Sequence, residues 1–151
     1  FLKTQGSGAN PVWGTVVAGL VQVVQNYTTS ATNSSTTNTW IATNLSVDIT
    51  PTSSSNKVLI LANGTIDSQT NGRQVYASIF RDSTNLGATN QGLAHNYGDS
   101  ARIICPYGMM WLDTPSSTSQ ITYKVYGRSG GQFEVNGQSA RASIIAMEVA
   151  V

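Results

Sequence analysis

KVLILANGTIDSQTNGRQVYASIFRD, residues 57–82, holds two apolar runs separated by a turn signal. The first, KVLILANGTI (57–66), begins apolar on both faces and reads as a central strand buried from two sides. The second, QVYASIFRD (74–82), alternates, with Val75, Ala77 and Ile79 on one face and Tyr76 and Phe80 on the other. DSQTNGR (67–73) between them contains Asn71-Gly72, a dipeptide that tolerates the positive φ of a tight reversal. Strand, hairpin tip and strand make an antiparallel pair. A helix would need apolar residues sustained at spacings of three, four and seven, and no part of the chain shows that pattern.

The same style extends in both directions. LVQVVQNY (20–27) is a Val-rich strand, and NSSTTNTWIA (33–42) is a polar loop ending in a short strand. LSVDIT (45–50) places Leu45, Val47 and Ile49 on one face and stops at Pro51, which has no N–H for a ladder. Downstream, GLAHNYGDS (92–100) carries a short strand or loop, and ARIICPYGMMWLDT (101–114) reads as a long strand, straight or bent at Pro106–Gly108. ITYKVYGR (121–128) turns Ile121, Tyr123 and Val125 inward and Tyr126 outward. Ser129-Gly130-Gly131 then forms a tight hairpin to QFEVNG (132–137). ARASIIAMEVAV (140–151) aligns Ile145, Met147 and Val149. Eight to ten strands with turns every 8–12 residues predict an all-β, antiparallel β-sandwich, jelly-roll-like. A strand apolar on both faces, such as 57–62, must be covered twice, by the second sheet and by a neighbouring subunit.

Composition narrows the function. Of 151 residues, 40% are hydrophobic but only 10% are charged, against roughly 25% in an average soluble protein. Ser, Thr, Asn and Gln supply about 38%, and the net charge is +1. Eight scattered Lys and Arg residues make no basic stripe, so no nucleic-acid partner is expected. No apolar run reaches the roughly 20 residues of a membrane-spanning helix, so no membrane insertion is expected. The single Cys105 excludes an internal disulfide and reads as a core thiol.

Catalytic inventory is thin. Thr4 through Val47 contains no acid, base or histidine, so that third of the chain acts through shape, packing or backbone pairing. His95 is the only histidine, which removes a His cluster for zinc. Neither a nucleophile elbow nor a phosphate-cradling glycine frame occurs. Asp67 and Asp99, read as loop residues, are the one pair considered for glycoside hydrolysis, and solvated turn caps explain them better. No catalytic residue, metal site or cofactor is expected. The turn-rich loops 67–73 and 92–100 instead combine Asn71, Arg73, His95, Asn96 and Tyr97, the amide, cationic and aromatic groups of a receptor contact. Trp13, Val21, Val23, Tyr123 and Tyr126 are the candidates for a subunit seam. PYGMMW (106–111) has the Met and aromatic content shared by cores and interfaces.

FLKTQGSGANPVW (1–13) is similar to the LKT-x-G-x-G-x-x-P-x-W junction of tail-fibre proteins of tailed bacteriophages. In order along nearly the whole chain, ITPTSSSNKV, IFRDSTNLG, TYKVY and the terminal MEV resemble a domain of virion structural proteins of marine and cyanobacterial phages. The resemblance implies a non-enzymatic distal fibre domain, a homotrimer assembled with other virion proteins and located on the virion after assembly in bacterial cytoplasm. Its loops would meet a host surface glycan or protein. Residues 1–19 are then a junction to an upstream segment, the chain being a piece of something longer, and 20–151 are the sandwich. A capsid decoration or head-fibre protein is the alternative, and a depolymerase fragment a weaker one.

Overall fold

The computed structural model describes residues 2–3, 12–13, 19–35, 38–99 and 102–151. Strands β1 (Leu2–Lys3) and β2 (Val12–Trp13) form a two-stranded ladder. The remaining strands are β3 (Leu20–Thr28), β4 (Thr32–Ser34), β5 (Ile41–Ile49), β6 (Lys57–Ser68), β7 (Arg73–Arg81), β8 (Thr84–Asn85), β9 (Ala94–Gly98), β10 (Ile103–Asp113), β11 (Ile121–Ser129), β12 (Phe133–Val135) and β13 (Ala142–Val149).

The eight longer strands pair from the outside in: β3 with β13, β5 with β11, β6 with β10, and β7 with β9. That nesting wraps a long antiparallel ribbon into two sheets and is the jelly-roll connection. The first sheet runs β10-β6-β13-β3, with β12 and β4 continuing alongside the far end of β6; the second runs β5-β11-β7, with β8 and β9 both along the outer edge of β7. The expected β-sandwich is therefore the observed one.

The core lies between the sheets. Val58, Ile60, Ala62, Ile66 and Ile144 face Leu45, Val47, Val75, Ile79, Tyr123 and Val125. Each fully buried branched or aromatic side chain contributes about 1.5–3 kcal/mol. Strands 45–49, 74–81 and 121–125 turn the expected faces inward. The run 57–62 has Val58, Ile60 and Ala62 inside, leaving Leu59 and Leu61 half-exposed on the outer face. β10 is continuous, with Tyr107 and Met109 in the core and Met110 outside. Cys105 is free and half-buried.

Three expectations are corrected. The 67–73 segment is not a hairpin tip: β6 and β7 do not pair but lie in different sheets, β6 between β10 and β13 and β7 between β9 and β11, so the Asn71-Gly72 turn carries the chain from one sheet to the other. Residues 132–137 do not pair with β11: Gly130 and Gly131 carry the chain across to the other sheet, where β12 pairs β4 and β6. Asp67 is not a loop residue but lies in β6, buried and ion-paired with Arg102. Ile145, Met147 and Val149 share a face as expected, and it is the outer one; small Ala142 and Ala146, with Ile144 and Glu148, face the core.

Glu148 is fully buried. Burial alone would push its carboxyl up. Hydrogen bonds donated by Asn56, Gln22 and Thr52 outweigh that and hold its pKa at about 2. The four contacts, 2.5–2.8 Å long, tie β3, β13 and the β5–β6 connection together. A folded-state pKa below the unfolded value of about 4.3 gives stabilisation that is complete above that pH and lost as pH falls through about 2. Glu148→Gln is expected to lower the unfolding free energy by about 2 kcal/mol at neutral pH, the scale of hydrogen bonds to a charged group. Urea titrations of both proteins should show that gap closing between about pH 4 and 2. A gap independent of pH would show that the carboxylate charge is not its source.

Candidate functional site

The β3–β5, β6–β7, β9–β10 and β11–β13 connections gather at one end of the sandwich, as the jelly-roll wrap requires. There the outer face of the second sheet ends in a cleft of about 240 Å³. Gln74 and Tyr76 of β7, Tyr97 of β9 and Arg128 of β11 line it, with Arg73 at the mouth. Cross-strand pairing sets these positions: Gln74 lies opposite Tyr97, and Tyr76 lies between His95 and Arg128.

The local chain explains the shape. Gly72 takes φ +66°, which turns β6 into β7 and lets its N–H bond the Gly98 carbonyl at 2.6 Å. Arg73 begins β7 beside Gly130, where a Cβ would lie 3.7 Å from the Arg73 stem. Arg128 donates from Nε to the Asn38 carbonyl at 3.2 Å and from Nη1 to the Asn90 carbonyl at 2.6 Å. Its guanidinium sits 5.8 Å from the centre of the Tyr76 ring, and the Tyr76 hydroxyl donates to Gln74 Oε1. The Tyr76 and His95 rings are 6.1 Å apart. Arg128 is thereby fixed by neutral carbonyls and an aromatic ring, with no carboxylate against it. Among the described residues, no Asp or Glu lines the cleft. The described residues include no group of three or more potential metal ligands, and no helix is long and apolar enough to cross a membrane.

The structure brings Arg73 and Tyr97 into this cleft and places His95 beside it. Asn71 is exposed in the adjoining β6–β7 turn. Asn96 lies on the opposite face of β9, across from core residue Val75, with its Nδ2 buried and unpartnered among the described residues. Sequence reasoning missed Gln74, Tyr76 and Arg128. Their outward parity, opposite Val75, Ala77 and Val125, was the available signal.

The outer face of the first sheet has a different character. Across β10, β6, β13 and β3, the pairing aligns Leu112, Leu59, Met147 and Val23 in one row and Met110, Leu61, Ile145 and Gln25 in the next. Met110 is 68% exposed, Val23 52% and Leu112 51%. Gly108 leaves open space beside Met110, in a hollow of about 410 Å³. The two apolar rows carry no charge; Lys57 flanks them on one side, and on the other the Arg141 guanidinium lies 4.5 Å from the centre of the Tyr27 ring, in the row of Asn63 and Ser143.

Candidate seam residues separate accordingly. Val21 and Val23 are exposed on β3 beside this face. Tyr123 is no surface residue: its ring is fully buried in the core, and its hydroxyl donates to Asp113 at 2.7 Å, which with burial pushes its pKa up. Tyr126 stacks on Phe80, ring centres 4.0 Å apart, on the outer face of the other sheet. The side chain of Trp13, and most of the expected 1–19 junction, lie outside the described residues.

Asp67, once considered for hydrolysis, accepts from Arg102 Nε at 2.8 Å, and Glu134 opposite it accepts from Gln69 Nε2 at 3.2 Å. Asp99 is exposed in the bend after β9.

No family model matches the chain, and no curated protein does. Among solved structures it is similar to the D431N mutant VP2 protein of infectious bursal disease virus, solved as derived T=1 particles. The TM-score is 0.39 at 16% identity, over 85% of this chain and 36% of that one. The chain thus spans about a third of that protein's length, and a likeness of this strength carries no argument about function.

Proposed function

We propose that this domain is a non-enzymatic structural component of a virion, a distal tail-fibre domain that assembles as a homotrimer and presents its loop-end cleft to a host-cell surface glycan. One observation carries the reading: the two outer faces of the sandwich are chemically opposite. One carries two apolar, uncharged rows across four strands, with Arg141 over Tyr27 at their margin. The other ends in a polar cleft built from two arginines and two tyrosines.

A second copy of the chain suits the apolar face. Strand spacing and rise give the two apolar rows a plan area of about 260 Å², about a third of what one partner buries in a stable interface. The outer edges of β3 and β10 border it and pair with no other strand among the described residues, so they can extend the contact. Because the apolar rows themselves are uncharged, copies meet along them without like-charge repulsion, and cyclic symmetry closes the assembly.

Binding of the domain to host cells or to an immobilised glycan array tests the receptor function. Tyr97, 47% exposed at the cleft, is expected to carry stacking contacts. Tyr97→Ala should weaken binding about tenfold with an unchanged melting temperature. Wild-type protein that binds neither cells nor glycans would contradict the receptor function and favour a capsid decoration protein.

A further inference from the structure

We infer that the cleft selects an acidic saccharide, a pyranose carrying a carboxylate, over its neutral counterpart; the inference rests on the receptor-binding reading above. The cleft has uncompensated positive charge. Arg73 makes no ion pair or hydrogen bond from its guanidinium among the described residues, and the two ion pairs found there belong to Arg81 and Arg102. Arg128 is held by two backbone carbonyls, which orient the fork without neutralising it. Asp99, the acidic residue nearest in sequence to the lining residues, is exposed past Gly98 and forms no ion pair among the described residues.

The hydrogen-bonding inventory points the same way. A guanidinium offers five N–H donors and no acceptor. A neutral sugar presents hydroxyls that need acceptors as well as donors, and a cleft specialised for it would offer carboxylates. Here the Asn38 and Gln74 amides offer both donors and acceptors, while the charged groups, Arg73 and Arg128, are donors only. A planar carboxylate matches the arginine fork and draws charge-assisted bonds, roughly twice as strong as neutral ones. The rings of Tyr76 and Tyr97 supply apolar surface for the C–H face of a pyranose. A space of about 240 Å³ holds roughly eight waters at about 30 Å³ each, which is one sugar unit rather than an oligosaccharide. Its opening at the loop end admits that unit from within a longer chain.

Titration calorimetry on the intact domain tests this with oligogalacturonate, its methyl ester, which has the same backbone without charge, and inorganic phosphate. Oligogalacturonate is expected to bind at least about tenfold more tightly than the ester. Its affinity should fall with added salt as the screening length shrinks from about 10 Å at 0.1 M to about 3 Å at 1 M. Arg128→Lys keeps the charge but loses the fork, and should weaken oligogalacturonate about tenfold with no change in melting temperature. Arg73→Gln should weaken it several-fold. Phosphate should compete only weakly. Equal affinity for acid and ester would overturn the acidic selectivity while leaving the receptor function standing. Phosphate binding as tight as the acid would overturn the sugar assignment. Failure of both saccharides while the domain still binds host cells would overturn this inference alone; failure to bind cells as well would overturn the receptor reading beneath it.

Discussion

Phe133→Ala is expected to lower the unfolding free energy by about 3–5 kcal/mol, the range for deleting a fully buried aromatic ring. Phe133 is fully buried in β12, the short strand laid against the far end of β6. It rests on Gly127 of the opposite sheet, where a Cβ would come within 2.7 Å of the ring and 2.5 Å of Val135. The contact closes the sandwich behind the loop-end cleft. Gly127→Ala should therefore destabilise too, by about 1–3 kcal/mol through overpacking. The pair makes a sharper test than either change alone. Phe133→Leu combined with Gly127→Ala should be less destabilised than the sum, because the smaller side chain frees the space the methyl needs. Strict additivity in denaturant titrations would show that the two residues do not press on each other.

Met110→Asp is expected to dissociate the assembly into monomers without unfolding them. Met110 is 68% exposed in the isolated chain, so the fold loses little on its replacement. In the proposed assembly it lies within the apolar face, and an unpaired carboxylate buried there costs several kcal/mol per copy. Association at micromolar concentration should disappear while the circular dichroism spectrum stays unchanged. Ala42→Asp, at an exposed position on β5 of the other sheet, should leave the assembly intact. If both variants dissociate equally, or neither does, the apolar face is not the seam.

Much of the fold was legible because alternation is legible. Strands 45–49 and 121–125 have one apolar and one polar face, so their inner residues could be named from period two alone; 74–81 turns Val75, Ala77 and Ile79 inward although Phe80 on its other face is buried too. The run 57–62 could not be oriented that way, since both faces are apolar. Register chose Val58, Ile60 and Ala62 for the core, and the surplus on Leu59 and Leu61 pointed to a second covering surface. In 142–149 the bulkier residues face outward. Size alone misleads there, because two alanines face the core and Glu148 is buried by its hydrogen-bond donors rather than by apolarity. The 129–135 segment looked like a hairpin because Ser129-Gly130-Gly131 is a turn sequence. The same glycines serve a crossing between sheets, a choice fixed by Phe133 packing on Gly127 and not by local chemistry.

The cleft shows the same division. Arg73 and Tyr97 stood out because they sit in or beside turn-rich sequence. Tyr76 and Arg128 look like ordinary outward strand positions. They reach the site only through the pairing of β7 with β9 on one side and β11 on the other, a juxtaposition of residues far apart in the chain. Tyr123 and Tyr126, three residues apart on β11, face opposite ways because strand side chains alternate: one ring fills the core, the other stacks on Phe80 outside.

Sedimentation equilibrium of the intact domain at micromolar concentration bears most directly on the virion-fibre reading. Three chains per particle, falling to one with Met110→Asp, is the expected result. A wild-type protein that sediments as a single chain would contradict it, since the apolar rows on the outer face of the β10-β6-β13-β3 sheet would then have no copy to cover them.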